Sequence, residues 1–320
     1  MRRLSLCLAV AAAALVAAPA ALADGPMFVT QDGTGVVHGS LRYVAVNTTS
    51  GRGTDLVEVS TRDHSVGPAL RIPGEWGLPY TAAGAEGLSH DGRTLVLGRA
   101  GIGISSPSRF LIVDPRRMRV IRTIALHGYF SYDALSPDAS RLYLIQYTHG
   151  RSQDTSRYIV RAYDMRANRL LPGKIAARDE DDDEETMAGY AMTRTTSAGG
   201  RWVYTLYQKP SGEPFVHALD TVRGVAYCID LPANRGLYNI VLSLRNGDRT
   251  LDAHWRSGRP WLRVAVGSWQ ISYPRPGFPW AWAGAGIGGA LALLAAGALL
   301  LRRRRGEELQ QHPGDELGLA

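Results

Sequence analysis

The chain has 320 residues with a formal net charge of +7, and six of its arginines lie in two short terminal stretches. The residues between them carry a modest excess of about +5, spread without a basic patch, which argues against nucleic-acid binding. Of the two cysteines, Cys7 falls in the leading apolar run, so the remainder of the chain holds only Cys228 and has no intrachain disulfide framework.

Arg2 and Arg3 precede an apolar stretch from Leu4 to Ala18, and Ala21-Leu22-Ala23 supplies the small-x-small pattern of a signal-peptidase site. Residues 1–23 are therefore expected to be a signal peptide, cleaved before Asp24. Cys7 sits inside the apolar run, which argues against a lipoprotein anchor. Only Lys174 and Lys209 are lysines among 36 basic residues, and with abundant Ala, Gly and Arg this suggests a GC-rich bacterial genome, of actinobacterial type.

Residues 24–273 are dominated by repetition. A turn followed by arginine and a β-type run recurs at Arg42-Tyr43-Val44-Ala45-Val46, Arg93-Thr94-Leu95-Val96-Leu97, Arg141-Leu142-Tyr143-Leu144-Ile145, Arg201-Trp202-Val203-Tyr204-Thr205 and Arg249-Thr250-Leu251-Asp252-Ala253. The arginines are 51, 48, 60 and 48 residues apart. Before four of them stand Gly, Asp or Asn, the residues that supply tight-turn geometry between antiparallel strands. A second hairpin follows each arginine, as in Phe110 to Asp114 returning through Val120 to Ile124, and Phe215 to Asp220 returning through Val225 to Ile229. Inner strands are expected before the turns, around Ala85 to Ser89 and Asp133 to Ser136. Four short strands in a unit of about fifty residues describe one blade of a β-propeller.

Leu135-Ser136-Pro137-Asp138-Ala139-Ser140-Arg141-Leu142-Tyr143 resembles the turn of WD40-like propellers of the TolB and YVTN type, and Leu88-Ser89-His90-Asp91-Gly92-Arg93-Thr94-Leu95-Val96 is the next best copy. The resemblance covers roughly residues 35–273 and implies an all-β propeller fold; the five repeats argue for about five four-stranded blades, with Met27 to Thr30 helping to close the ring. It implies little about function, since propellers host many activities.

The 60-residue interval contains Asp179-Glu180-Asp181-Asp182-Asp183-Glu184-Glu185. Seven adjacent like charges repel one another, so an exposed inter-blade loop is expected, with calcium as the alternative use of its carboxylates. Gly-x-Ser-x-Gly, P-loop and His-Glu-x-x-His motifs are missing, and the eight histidines (His38, His64, His90, His127, His149, His217, His254, His312) show no metal-ligand spacing. Neither a cofactor nor a metal is expected, and no catalytic residue is assigned.

Ligands of propellers gather at the channel mouth, which inner strands line. The polar residues expected there are Glu86, Asp133, Arg194 and Asn239. Glu86 and Asp133 each precede a turn serine by three residues, and two carboxylates facing one channel could serve as acid and base in a glycan hydrolase. Tyr129, Phe130, Tyr132, Tyr190 and Tyr238 recur before the inner strands and are expected to pack between blades.

Residues 274–279 form a Pro-rich connector. Residues 280–301 carry no charge, and 22 residues at about 1.5 Å each span roughly 33 Å, enough for one transmembrane helix. Trp280 and Trp282 suit one membrane interface, and Arg302, Arg303, Arg304 and Arg305 suit the cytoplasmic side, giving a single-pass type I topology with residues 302–320 as a cytoplasmic tail. An LPxTG-type sorting signal is missing. Gly284-x-x-x-Gly288 and Ala285-x-x-x-Gly289 would allow a helix-mediated homodimer. The leading expectation is a non-enzymatic module at the cell surface that touches membrane lipid through its helix and binds an envelope protein or glycan. The alternatives are a glycan-directed hydrolase and a structural scaffold of an envelope complex.

Overall fold

The computed structural model describes residues 27–29 (backbone), 34–48, 52–81, 84–99, 107–148, 157–175 and 187–274. The predicted signal peptide, the acidic run Asp179 to Glu185, the apolar run 280–301 with Trp280, Trp282 and Arg302 to Arg305, and the tail all lie outside the described residues. Among the described residues no helix is long and apolar enough to cross a membrane, and the one helical element is a single 3-10 turn, Leu237–Asn239.

Everything else regular is antiparallel β-structure in six sheets. Five of them follow one another along the chain as meanders. The first comprises Val36–His38, Leu41–Asn47, Gly53–Ser60 and Val66–Pro73. Leu95–Arg99, Pro107–Asp114 and Arg119–His127 make the second. The third comprises Phe130–Leu135, Arg141–Tyr147, Arg157–Asp164 and Arg169–Leu170, with Met187–Ala188 also on the 157–164 strand. The fourth holds Tyr190–Thr196, Trp202–Gln208, Pro214–Asp220 and Val225–Asp230, and the fifth Ile240–Arg245, Thr250–Trp255, Pro260–Ala265 and Ile271–Ser272.

The period-2 alternation of side chains explains how these sheets stack. In Arg141–Tyr147, Leu142 and Leu144 join the cluster shared with the second sheet, whereas Tyr143 and Ile145 join the cluster shared with the fourth. Trp202–Gln208 does the same one sheet later: Val203 and Tyr207 face the third sheet, Tyr204 and Leu206 the fifth. Four apolar clusters thus join sheets one to two, two to three, three to four and four to five. Sheets two, three and four are covered on both faces, which is why their central strands read as nearly continuous apolar runs. Meander sheets stacked face to face in chain order, with their first strands converging, make the β-propeller arrangement.

The turns that carry the repeat are built by their side chains. Ser136 Oγ donates to Asp138 Oδ1 at 2.8 Å and accepts from the Arg141 N–H at 3.0 Å, while Asp138 Oδ1 also accepts from the Ser140 N–H at 3.0 Å. Ser89 and Asp91 repeat the pattern, with Ser89 Oγ to Asp91 Oδ1 at 2.7 Å and the Thr94 N–H to Ser89 Oγ at 2.9 Å. The fourth sheet keeps the serine, since the Trp202 N–H donates to Ser197 Oγ at 2.9 Å, but has no aspartate in the turn. Asp248 of the next sheet substitutes, accepting from the Ala198 N–H at 2.6 Å.

Two expectations differ from the structure. The segment Ala85 to Ser89 is not a regular strand. Gly84–Ala85 pairs with Leu78–Thr81, and two isolated bridges, Leu88 to Leu95 and Gly77 to Gly98, continue the second sheet inward. Gly87 is the cause: it adopts φ +98° and lies so close to the neighbouring chain that a Cβ would stand 2.7 Å from the Val96 carbonyl. Met27–Val29, expected to help close the ring, pairs antiparallel with Leu78–Tyr80 in the small sheet beside the second one.

Candidate functional site

Three of the four residues expected at the channel come together. Glu86, Asp133 and Arg194 each stand three residues before a turn serine (Ser89, Ser136 and Ser197), so three successive sheets present the same position to the common axis. Arg194 Nη1 donates to Glu86 Oε2 at 2.9 Å, and its Nη2 to Asp133 Oδ1 at 2.7 Å. Its Nε donates to Thr205 Oγ1 at 2.9 Å, and Nη1 also reaches the Asp133 carbonyl. Thr205 is the register partner of Arg194 on the adjacent strand, so the hydroxyl fixes the guanidinium within its own sheet before it reaches across to two others. Glu86 is held from its far side, where Thr81 Oγ1 donates to Oε1 at 3.2 Å.

The side chains of Arg194 and Asp133 are each 1% exposed, and that of Glu86 is 21% exposed. Burial alone would lower the Arg194 pKa, but Glu86 and Asp133 outweigh it and hold the guanidinium above its ordinary value. Burial pushes the Asp133 carboxyl up against the opposing pull of Arg194. The net direction for Asp133 is upward because burial outweighs the Arg194 charge; among the described residues its Oδ2 has no hydrogen-bond partner. Burial and then the Glu86 charge also raise the Tyr132 hydroxyl.

Asn239 does not join this cluster. It is exposed at the end of the 3-10 turn, where its carbonyl accepts from the Arg256 N–H at 2.8 Å. The fifth sheet places the buried, apolar Leu242 on its first strand. The aromatic residues divide similarly. Phe130 and Tyr132 are buried between the second and third sheets and Tyr129 lies tilted against Tyr147 with ring centroids 4.7 Å apart, but Tyr238 is 62% exposed.

Sequence reasoning missed the cavity beside the charged cluster. About 290 Å³ in volume, it is enclosed by Val36 to His38 of the first sheet, Ala85 to His90, Tyr132 to Leu135 with Pro137, and Thr196, Ser197, Gly200 and Val203 of the fourth. Four sheets therefore contribute to one opening. Val37, His90 and Thr196 are exposed at its rim, whereas Tyr132 and Asp133 are buried. Gly200 allows the turns to close in, since a Cβ there would lie 3.3 Å from His90. Among the described residues no group of three or more His, Cys, Asp or Glu side chains could hold a metal ion.

No family model matches the chain, and no curated protein does. Among solved structures, the chain is similar to hydrazine synthase of Kuenenia stuttgartiensis at 14% identity, covering 75% of this chain and 79% of that one with a TM-score of 0.41. It is similar to the β-propeller domain of Cps50 (Swd1) of Myceliophteria thermophila at 11% identity, covering 69% and 64% with a TM-score of 0.41. It is also similar to the dihydro-heme d1 dehydrogenase NirN at 16% identity, covering 74% of this chain but 44% of that one, with a TM-score of 0.47. The fold therefore rests on the strand pairing and the shared sheet faces: an all-β chain of propeller type, with a charged cluster and an open cavity where four sheets meet.

Proposed function

We propose that this chain is a membrane-anchored, extracellular β-propeller of about five blades, of the TolB and YVTN type, that binds a protein or envelope ligand at the mouth of its channel without transforming it. The carrying observation is the cavity of about 290 Å³ to which four sheets contribute. Its size is at the lower bound of ordinary ligand pockets, so it suits a side chain or a small group of a larger partner. Glu86 and Asp133 both spend an oxygen on the same guanidinium, and Asp133 is sealed from solvent. That arrangement shapes and charges a cavity; it does not leave an acid and a base free on opposite sides of a glycosidic bond. The leading apolar run with its Ala21-Leu22-Ala23 site and the uncharged stretch 280–301 followed by four arginines support export and a single span.

The reading is tested by protease shaving of intact cells together with affinity capture by the full chain. Shaving is expected to remove the 24–273 region. Capture is expected to lose its specific partner when Thr196→Trp fills the mouth, and to keep it when Val66→Arg alters a strand residue that is 73% exposed and does not line the cavity. Protection from protease, or equal capture by both variants, would overturn it.

A further inference from the structure

The cavity has a polarity that narrows the class of ligand. Its walls include Val36, Leu88, Leu135 and Val203, and among the described residues its ionisable lining is the two acids Glu86 and Asp133 with the histidines His38 and His90. Among the described residues no lysine or arginine lines it. Arg194 supplies one positive charge behind these two acids, so by formal charge the cluster sets two carboxyl groups against one guanidinium. Among the described residues Asp133 Oδ2, on a side chain 1% exposed, has no hydrogen-bond partner. A third polar partner is therefore missing from a site that is otherwise closely tied.

An apolar wall leading to an excess carboxylate complements a flexible methylene stem ending in a cation. We infer that the cavity takes a lysine or arginine side chain presented by a partner protein, its stem against the aliphatic wall and its charged head at Glu86. This rests on the binding reading above and names its chemistry. A bound metal ion is the poorer fit, because no third carboxylate, histidine or cysteine converges with the two acids among the described residues. An acidic side chain would meet Glu86 with like charge, and a neutral one would leave the excess charge uncompensated.

The test is calorimetric titration of the full chain at low ionic strength with four blocked tripeptides, Gly-X-Gly, in which X is lysine, arginine, norleucine or glutamate. Lysine or arginine is expected to bind at least tenfold more tightly than norleucine, and glutamate not at all. Glu86→Gln is expected to remove that preference. Since Glu86 also holds Arg194, a second variant, Thr196→Arg, places a cation at the exposed rim and is expected to weaken lysine binding at least tenfold with the melting temperature unchanged. Equal binding of norleucine and lysine, or undiminished lysine binding by Thr196→Arg, would refute the inference. If the mouth-filled protein loses its captured partner while no cationic tripeptide binds, the cation assignment falls and the binding reading stands.

Discussion

Arg194 and Glu86 are 108 positions apart in the chain, yet Nη1 of the first donates to Oε2 of the second at 2.9 Å. With Asp133 between them in sequence and bound to the same guanidinium, three consecutive sheets are tied by one side chain. The contact exists only if the first strands of the third and fourth sheets and the segment leading into the second sheet face one another.

Removing that guanidinium should be costly. Arg194→Met leaves Asp133 buried without its counter-charge, and such breakage costs roughly 3–5 kcal/mol. Equilibrium denaturation of the variant should show that loss. Arg194→Met combined with Asp133→Leu should recover part of it, because the stranded carboxyl is then absent. A double variant no more stable than Arg194→Met alone would contradict the pairing.

Ala139 lies at φ +52°, in the turn position where the second and fourth sheets have Gly92 and Gly200 at φ +67° and +72°. A Cβ in this region is strained by about 1–2 kcal/mol, of which the greater chain entropy of glycine returns a part. Ala139→Gly is therefore expected to stabilise the protein by about 0.5–1 kcal/mol, read as a higher melting temperature. A lower one would mean that the turn is not of this type.

His217 is buried between the third and fourth sheets, its ring edge-on to Tyr207, and burial followed by the Arg194 charge lowers its pKa from 6.5 to about 4. A depressed folded value means that the stabilisation is complete above pH 6.5 and is lost as the pH falls towards 4. The full difference amounts to roughly 3 kcal/mol. Asp133, whose carboxyl is raised, acts with the opposite sign and loses stabilisation as the pH rises through its folded value. The clean measurement is thus the stability difference between wild type and His217→Phe at pH 7 and at pH 4.5. Wild type should lose more of its stability on acidification than the variant.

Much of this architecture is legible before any coordinates. Spacings of about fifty residues between turn arginines mark the sheets, and the Ser-x-Asp turn of Leu135 to Arg141 announces its own hydrogen bonds, because serine and aspartate satisfy the turn backbone locally. The equivalence of Glu86 and Asp133 can be counted in the sequence, and the same count reaches Arg194 from Ser197. What the count does not supply is the partner: which charges meet depends on how three sheets are rotated about one axis. Asn239 falls outside the count because the fifth turn lacks a serine to start from, and its segment forms a 3-10 turn instead of a strand. The broken inner strand at Gly87 follows from a close backbone approach that no local pattern encodes. The cavity is likewise a product of four separate sheets.

The central claim is that this cavity is where a partner docks. A photo-crosslinking amino acid placed at Thr196 on the rim, and separately at Val66 on an outlying strand, tests it in the living cell. The account predicts a discrete adduct from position 196, absent from position 66 and lost in a Thr196-labelled chain that also carries Glu86→Gln. Adducts of equal yield from both positions, or from position 66 alone, would contradict it.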